Sequence, residues 1–422
     1  MVDEVKDGKV QEKLWGNRDF AFWMTGTTAD SLGTSVVELA IPLAAFMVGG
    51  SATFAGIMGT IYAGVFGAIV LIGGALVDRF DRRVGMVIRA ISGFTLWGAV
   101  GVMLVTHTVS IWIFIVVLVL AALSAGLFGS ADNAALRTIV PDALIVRAQG
   151  PIQTRSAIVQ LAGAPLGGLL YGLSPSMPFF LAAACGAVLA VSALAIRADL
   201  RPNTRDVAEV VARAKVSDIP KEILAGLRFC VGDPTILQAV FVVMIVNLGT
   251  SMMLQISTLH FIDLGYDPAA VGLLFLGATL MMLVSSVLIP VVVTHVRGGV
   301  VLVSSLFVMA ASFAAAALFP SYWVVLVALA FVGLVVPLQS AILQGYVIVR
   351  TPKEMQGRIG SLLTFASLGL TAVAPVSAGL IVAAGLSQAG YAGSAILVTL
   401  VASVTAVWGP LRKLRRAGEE AN

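Results

Sequence analysis

The sequence predicts an all-helical integral membrane protein with twelve transmembrane helices in two groups of six. Three observations lead to this prediction. The 422 residues are 59% hydrophobic and only 11% charged, whereas a soluble domain carries about 25% charged residues. The mean hydropathy of +1.00 is typical of a chain that lies mostly in lipid. Charged side chains are confined to short stretches between uncharged windows such as 39–77, 90–131 and 298–349.

The uncharged windows have the lengths of single or paired membrane spans. A helix needs about 20 apolar residues to cross a bilayer, so the longer windows hold two helices joined by a short uncharged turn. The sequence lacks the alternating ten-residue segments that would indicate a membrane barrel. The predicted spans are 19–47, 52–77, 84–105, 110–139, 150–172, 177–196, 235–260, 268–293, 299–318, 322–348, 358–383 and 390–410.

The lysine and arginine residues predict the orientation. All 26 of them fall in the termini, in the central stretch or at alternate helix ends. None falls in the opposite loops, such as 106–110. Because basic residues favour the cytoplasmic side, both termini and the central loop are predicted to be cytoplasmic in a bacterial-type inner membrane. Trp15 and Trp408 then mark inner boundaries and Trp112 and Trp323 outer boundaries, as interfacial tryptophans do.

A polar stretch, 197–233, divides the chain into two predicted domains. The first domain, 1–196, and the second, 234–422, each hold six spans. Apolar residues at helical spacing over 219–228 predict an amphipathic helix on the inner membrane surface. The stretch is too short for a nucleotide-binding domain. Two six-helix halves around a site near the bilayer midplane are an arrangement that secondary transporters use.

Residues 74–83, between the second and third spans, form a charged motif with the sequence GALVDRFDRR. The motif resembles the cytoplasmic signature of the major facilitator superfamily, in the predicted loop and on the predicted side. This resemblance implies the major facilitator fold. The alternative is a basic membrane anchor with a turn. The residues that match the signature are Gly74, Asp78, Arg79, Arg82 and Arg83.

The resemblance implies that this motif is part of a cytoplasmic latch, which joins the two halves in the outward-facing state. Asp78 would contact the start of the eleventh helix at 357–361, since a helix N-terminus stabilises a carboxylate. Arg82 would pair with an acid low in the fourth helix, here Asp132. A role of Asp132 in binding substrate or a proton is the alternative. The corresponding loop of the second half, 294–299, lacks the acid, so an inward-facing latch is expected to be weaker.

Shorter stretches resemble one exporter branch of this superfamily. Together with the charged motif, residues 14–20, 140–144 and 223–229 are similar to those of macrolide-efflux proteins and the enterobactin exporter. The resemblance implies a drug/proton antiporter with twelve helices.

The fifth span contains residues 163–168, with the sequence GAPLGG, which resemble the antiporter signature of the superfamily. Glycines allow a neighbouring helix to pack closely, and proline removes a backbone hydrogen bond. The segment is therefore predicted to bend or to act as a pivot, with an ordinary kinked helix as the alternative. The residues of this predicted pivot are Gly163, Pro165, Gly167 and Gly168.

Two acidic residues, Asp30 and Glu38, lie within the first span. With Thr27 and Thr34 they form a polar stripe at helical spacing. An acid at the bilayer centre costs at least ~2.5 kcal/mol, so the stripe should face the bundle interior or a water-filled cavity. Burial favours the protonated form of a carboxyl group. Asp30, and Glu38 nearer the outer surface, are therefore predicted to bind the coupling proton or a cationic substrate.

This pair of acids resembles the two first-helix acids of broad-specificity drug/proton antiporters, including their spacing. Those relatives carry an arginine in the middle of helix four, whereas here the fourth span has only Arg137, near its cytoplasmic end. The alternative for Asp30 is a structural acid paired with Asn or Thr neighbours. The alternative for Glu38 is a side chain that reaches the outer interface.

The second half supplies polar but uncharged groups. Hydrogen bonding between helices is the alternative role for each of them. The predicted substrate contacts are Thr34 in the first half and Asn247, Gln255, Gln339 and Gln344 in the second half.

The sequence predicts a transporter rather than an enzyme, because it contains no nucleophile, phosphate-loop or metal-binding motif. The predicted function is export of amphipathic small molecules such as drugs, macrolides or siderophores in exchange for protons. The proton gradient is the energy source, and no cofactor is expected. The predicted partners are the substrate, protons and the lipid bilayer, without nucleic acid, and the predicted state is monomeric. The alternatives are a proton-coupled uptake symporter of the same fold and a membrane-embedded enzyme or scramblase-like protein.

Overall fold

The computed structural model describes residues 16–77, 81–201, 232–350, 370–407 and 410–413. Within these ranges, eleven apolar helical segments are long enough to cross a membrane, and a shorter apolar helix lies at the place of the predicted eleventh span. These segments confirm the predicted all-helical membrane fold. The helices are α1 (Arg18–Gly49), α2 (Ala52–Val77), α3 (Arg82–Val105), α4 (Ile111–Phe128), α5 (Ala131–Ile139), α6 (Asp142–Leu173), α7 (Met177–Ala195), α8 (Pro234–Asp263), α9 (Pro268–His295), α10 (Gly298–Leu318), α11 (Tyr322–Arg350), α12 (Ala374–Ala383) and α13 (Ser387–Val407), followed by a short 3-10 helix at Pro410–Lys413.

Several predicted features lie outside the described residues. They are the boundary tryptophans Trp15 and Trp408, the amphipathic helix over 219–228 and the start of the eleventh helix at 357–361. The domain division at 197–233 therefore stays a prediction. We call α1–α7 the first half and α8–α13 the second half.

Polar side chains and a glycine fix several helix ends. The Asn17 side chain accepts hydrogen bonds from the first backbone N–H groups of α1. Asp81, Asp233 and Asp267 accept similar bonds at the starts of α3, α8 and α9. These bonds satisfy N–H groups that a helix leaves unpaired. Gly50 follows α1 with a φ of 65°, a conformation that favours glycine and ends the helix.

The fourth span is interrupted, which the sequence did not predict. A turn at Gly129 and Ser130 separates α4 from α5. A Cβ added to Gly129 would lie 2.5 Å from the Ala125 carbonyl oxygen and 3.2 Å from Nη1 of Arg89. Because glycine has no Cβ, the Arg89 guanidinium can approach the backbone at the turn.

Within the first half, α1 lies against α7 at two glycines. A Cβ added to Gly26 would lie 2.7 Å from Cβ of Ser192, and one added to Gly33 would lie 3.0 Å from Cβ of Cys185. Helices in lipid gain little from the hydrophobic effect between them, so small residues that permit close van der Waals packing stabilise the bundle. This packing holds α1 in a fixed position for the polar side chains on its other faces.

The first contact between the halves joins α2 and α12. A Cβ added to Gly56 would lie 2.3 Å from the Pro375 carbonyl oxygen and 3.0 Å from Cα of Gly379. The Thr60 hydroxyl also accepts a hydrogen bond of 2.9 Å from the backbone N–H of Val376. The two backbones are therefore in direct contact, with no side chain between them.

The second contact between the halves joins α6 and α9 in the same manner. A Cβ added to Gly168 would lie 2.4 Å from the Pro268 carbonyl oxygen and 3.0 Å from Cα of Gly272. Both contacts lie near the helix ends remote from Arg18, the first residue of α1. Among the described residues, two glycine pairs thus bring the halves into close contact on the side opposite the start of α1.

Candidate functional site

An ion pair between α1 and α3 lies in the interior of the first half. Nε and Nη2 of Arg89 lie 2.9 and 2.7 Å from Oδ2 of Asp30. The side chains of Arg89 and Asp30 are only 16% and 17% exposed. At ~1.5 Å per residue, Asp30 lies about 18 Å along α1 from Arg18, and Arg89 about 10 Å along α3 from Arg82. Both charges are therefore well inside the helical bundle.

A small cavity between α1, α2, α3 and α4 borders this ion pair. Its volume is about 50 Å³, which is room for a few water molecules. Small-molecule sites measure about 300–1,000 Å³, so this cavity suits water and protons rather than an organic substrate. The side chain of Glu38 is exposed and borders the same cavity. The polar residues around the cavity include Asp30, Thr34, Glu38, Tyr62, Arg89 and Ser124.

The residues of the predicted polar stripe on α1 lie in two different environments. Asp30, Thr34 and Glu38 border the cavity, so these three residues share one interior face. Thr27 is buried, and its hydroxyl accepts a hydrogen bond of 2.6 Å from Nη1 of Arg155 on α6. The stripe therefore connects the cavity with a second arginine, which is half-buried.

Asp132 lies beside the ion pair, in the first turn of α5. Its Oδ1 atom is buried and has no hydrogen-bond partner among the described residues. The charges that act on it are those of Arg89, Asp30 and Arg155. The Trp23 indole N–H donates a hydrogen bond of 2.9 Å to the Asp132 backbone carbonyl oxygen. The backbone of Asp132 is thus fixed while one of its carboxylate oxygens stays unpaired.

Arg155 is held by α1 without an ion pair in the described part of the chain. Besides the bond to Thr27, its guanidinium carbon lies 5.9 Å from the centre of the Trp23 ring, a distance at which a cation is attracted to an aromatic face. Its Nε atom is buried without a partner among the described atoms. We call Asp30, Arg89, Asp132 and Arg155 the charge network. It contains two acids and two bases.

The predicted latch residues differ from expectation where the structure describes them. The Arg82 side chain donates a hydrogen bond to the Thr138 hydroxyl rather than to Asp132, which lies with Arg89 and Arg155 instead. Arg83 donates bonds of 2.8 Å to the carbonyl oxygens of Ile196 and Ala198. These bonds all lie within the first half.

The remaining predicted latch residues do not test the predicted latch between the two halves. Asp78 and Arg79 lie outside the described residues, and Gly74 lies in the last turns of α2. The latch across the halves therefore stays a prediction for the outward-facing state. The observed bonds of Arg82 and Arg83 show only that these arginines stabilise the first half in the present state.

The predicted pivot residues of α6 are contact points. A Cβ added to Gly163 would lie 2.4 Å from Cβ of Ser35, and one added to Gly167 would lie 2.8 Å from the Val36 carbonyl oxygen. Gly168 makes the contact with α9 described above. Pro165 lies inside the continuous helix α6. This segment therefore packs against both α1 and the second half, as small residues allow, and its bending stays a prediction.

The predicted substrate contacts of the second half are dispersed. The Asn247 side chain donates to the Val243 carbonyl oxygen of its own helix at 2.8 Å. Gln255 is half-buried and Gln344 is exposed. Gln339 is only 1% exposed, and neither polar atom of its side chain has a partner among the described residues. No described contact brings these four residues to the cavity of the first half.

A larger cavity lies away from this chemistry, on the surface between α10 and α11. It measures about 530 Å³, and its lining, which includes Val308, Trp323 and Phe331, is almost entirely apolar. The Trp323 side chain is 73% exposed. We place the candidate site at the smaller cavity, because only that one brings charged and hydrogen-bonding groups together.

The fold and its charged interior define a multi-pass membrane transporter. The chain belongs to the Major Facilitator Superfamily, whose family model matches residues 23–366. Proteins of this family carry small-molecule substrates across a lipid bilayer and are not enzymes.

Individual relatives support the same class. The chain is 24% identical over 209 residues to an uncharacterized MFS-type transporter, YceJ, of Bacillus subtilis (strain 168). The match covers 48% of this chain and 50% of that protein, so the chain spans about half the length of this curated relative.

Solved structures with similar folds include three transporters at low sequence identity. A POT family transporter in complex with 5-aminolevulinic acid superposes with a TM-score of 0.71 and 12% identity, over 96% of this chain and 98% of that one. The nucleoside transporter NupG gives 0.68 and 12%, over 91% and 98%. A bacterial homologue of the iron transporter ferroportin in an inward-facing state gives 0.65 and 13%, over 91% and 98%. At this identity the likeness concerns the fold alone.

Arg89 is the site residue that sequence reasoning missed. The positive-inside pattern grouped it with the basic residues at the cytoplasmic start of the third span. A usable signal was its depth, since about 10 Å of helix separates it from Arg82. An arginine that far inside a span requires a partner, and Asp30, inside the first span, is the acid that it contacts.

Proposed function

We propose that this protein is a secondary exporter that exchanges amphipathic small molecules for protons by alternating access. The observation that carries the proposal is the Asp30–Arg89 ion pair, at 2.7 Å, beside the exposed acid Glu38 in an interior cavity. Ionisable groups inside a membrane bundle are costly and mark ion pathways in transporters. We expect the protein to act as a monomer, with the proton gradient as its energy source.

The ion pair gives a physical route to coupling. A buried salt bridge contributes little net stability, because the loss of hydration offsets the attraction between the charges. A change in hydration of the cavity therefore alters the balance between a paired and a protonated Asp30. Opening to opposite sides of the membrane supplies such a change, and Glu38 is a second group that can take up a proton or a cation from the cavity.

The class of substrate is inferred from the polarity of the two halves. A polar nutrient needs several fixed charged or hydrogen-bonding groups from both halves, whereas the described interior of the second half is uncharged. An amphipathic molecule fits this surface better. The exporter-like stretches at 14–20 and 140–144, with the antiporter-like segment 163–168, support the drug, macrolide or siderophore class and favour export.

The proposed orientation places both termini and the central segment in the cytoplasm of a bacterial-type inner membrane. In that orientation, the contacts of Gly56 with Pro375 and of Gly168 with Pro268 lie on the outer side. They support an inward-facing state for this structure. The cavity of about 50 Å³ is then a proton site, and the substrate is bound between the halves.

Uptake by symport is the second candidate function. Two structural neighbours are a POT family transporter in complex with 5-aminolevulinic acid and the nucleoside transporter NupG, and their substrates favour a polar substrate for this candidate. The same fold serves both directions, so the direction of coupling decides between the two candidates.

Transport in proteoliposomes with an imposed pH gradient tests the proposal. Macrolides, lipophilic cations and siderophores are supplied on one side, and substrate flux and proton flux are measured together. We expect fluxes in opposite directions, and loss of the proton-driven flux in Asp30→Asn, which should still fold. Asp263→Asn, at the end of α8, is the control. Fluxes in the same direction would establish symport, and unchanged proton flux in Asp30→Asn would remove Asp30 from the mechanism.

A further inference from the structure

We propose that Asp132 is a second proton-binding site and that Arg89 exchanges between Asp30 and Asp132. This proposal rests on the proposed function and deepens it, because it assigns the proton of the present state to a different carboxyl group. Arg89 is then a positioning residue that decides which of the two acids is free.

The first argument is the contrast between the two acids. Asp30 receives two nitrogen atoms of Arg89, at 2.9 and 2.7 Å. Asp132 forms no ion pair among the described residues, and its Oδ1 atom is buried without a hydrogen bond from any of them. An ionised carboxylate in such a position is strongly unfavourable. A neutral, protonated carboxyl group is the form that this position favours.

The second argument is the position of Arg89. Its Nη1 atom lies beside Gly129, 3.2 Å from the point where a Cβ would stand. Gly129 belongs to the turn directly before α5, and Asp132 lies in the first turn of that helix. The guanidinium therefore reaches from Asp30 to the turn that carries Asp132, and a small movement along this turn changes its partner. Any other residue at Gly129 would fill this space.

The third argument concerns the other groups that face Asp132. Helix α1 presents Asp30, α3 presents Arg89 and α6 presents Arg155. On α2, Tyr62 borders the same cavity as Arg89. Arg137, on the same helix as Asp132, is exposed.

Arg155 is a poor alternative partner for Asp132. It already donates to the Thr27 hydroxyl at 2.6 Å and lies over the Trp23 ring at 5.9 Å. Arg89 is thus the cation that can move to Asp132.

The exchange links the two acids in a balanced cycle. With Arg89 on Asp30, Asp132 holds a proton as a neutral carboxyl group. When that proton leaves, Arg89 moves to the new carboxylate and forms an ion pair there. Asp30 then loses its partner and takes up a proton or a cation from the cavity that it shares with Glu38. No bond other than O–H is made or broken, and the net charge of the network is conserved once Asp30 has bound a proton or a monovalent cation.

Infrared difference spectroscopy on the purified full chain tests this cycle without substrate or gradient. The carbonyl stretch of a protonated carboxyl group is absent from a carboxylate. We expect one such band near neutral pH that is lost in Asp132→Asn and kept in Asp263→Asn. The band is also expected to be lost in Asp30→Asn, because Arg89 then moves to Asp132.

A double variant distinguishes two hypotheses: that Arg89 exchanges between Asp30 and Asp132, and that Asp30 itself is the protonated group. In Asp30→Asn combined with Arg89→Gln, Asp132 has lost Arg89, and Arg155 stays bound to Thr27 and the Trp23 ring, so the band should return to its full size. A band that stays lost in the double variant, or that survives in Asp132→Asn, would overturn the assignment to Asp132. A band unchanged in Asp30→Asn alone would overturn the exchange.

Folding and function are controlled separately. Size-exclusion profiles report whether each variant folds. If Asp132→Asn does not fold, Asp132→Glu takes its place in the test. This variant keeps a carboxyl group, so it should shift the band rather than remove it. An Asp132→Glu spectrum identical to that of the natural protein would also overturn the assignment. Because no transport is measured, the failure of the export proposal in proteoliposomes would leave these spectra unaffected.

Discussion

The two halves of the molecule use the same packing device but differ in their chemistry. In the first half, the four ionisable side chains of the charge network meet around α1, α3, α5 and α6, and Asp30 and Arg89 form an ion pair at 2.7 Å. In the described second half, acidic and basic residues lie only at helix ends, such as Asp263 and Arg297. The second half offers uncharged groups instead, among them the bond of 3.1 Å between Ser257 and Tyr391.

The two halves therefore share their mode of helix packing but not their buried ionisable groups. The halves contact each other through two equivalent glycine pairs, Gly56 with Gly379 and Gly168 with Gly272. Close backbone contact needs small residues in either half. A buried charge is retained only where its cost is offset by function or by a partner. We therefore expect the first half to bind and release protons, and the second half to contribute an uncharged surface that does not titrate.

The largest effect is expected from Arg89→Gln, which removes the ion pair with Asp30 in the first half. Removal of one partner of a buried ion pair destabilises by about 3–5 kcal/mol, and the partial exposure of this pair reduces the expected loss to about 2–3 kcal/mol. Proton-driven transport should be abolished. Thermal unfolding and proteoliposome flux measure the two effects, and Arg137→Gln, an exposed arginine, is the matched control. Equal stability of Arg89→Gln and Arg137→Gln would contradict an energetically important pair.

The second effect concerns the packing that both halves share. Gly56→Leu introduces a side chain where a Cβ already falls 2.3 Å from the Pro375 carbonyl oxygen. Overpacking costs about 1–3 kcal/mol, so the closed contact should lose population by about fivefold to 150-fold. Distances between spin labels at Ser51 and Ala384 report this opening. Gly64→Leu, on the same helix with no atom within 4 Å of its added Cβ, should leave the distances unchanged.

A smaller effect is expected from the neutral half. Tyr391→Phe removes the bond to Ser257, and hydrogen bonds between membrane helices are worth about 0.6 kcal/mol on average. Thermal unfolding should therefore shift by only one or two degrees, with unchanged proton coupling. Thr27→Val, which removes the acceptor of Arg155 in the charged half, is the comparison. A change of proton flux in Tyr391→Phe would contradict a passive second half.

The smallest effect is expected from Gln339→Leu. The Gln339 side chain is 1% exposed, and its amide has no partner among the described residues. Replacement of an unsatisfied buried amide by an apolar group of similar size is about neutral or slightly stabilising. An unfolding temperature that is equal or slightly higher is expected, with transport unchanged. A large loss of transport would identify Gln339 as a substrate contact.

Much of the fold was available from the sequence. The charge-free windows gave most described helix ends to within three residues, as for α2, predicted and found at 52–77. Bilayer thickness fixes the length of a span, and burial in lipid excludes charges, so both signals are local along the chain. The sequence also indicated that Asp30 and Glu38 face the interior, because the helical period places them on one stripe.

The partners of these acids depended on the tertiary structure. Arg89 stands 59 positions from Asp30, and no periodicity links the two residues. The interruption of the fourth span at Gly129 and the bond of Arg82 to Thr138 were likewise not predicted. Composition and hydropathy determined that the chain crosses the membrane and where it does so, because each helix meets the same solvent. Only the position of α1 relative to α3 and α5 decided which charges meet, because an ion pair depends on the distance between helices that are remote in sequence.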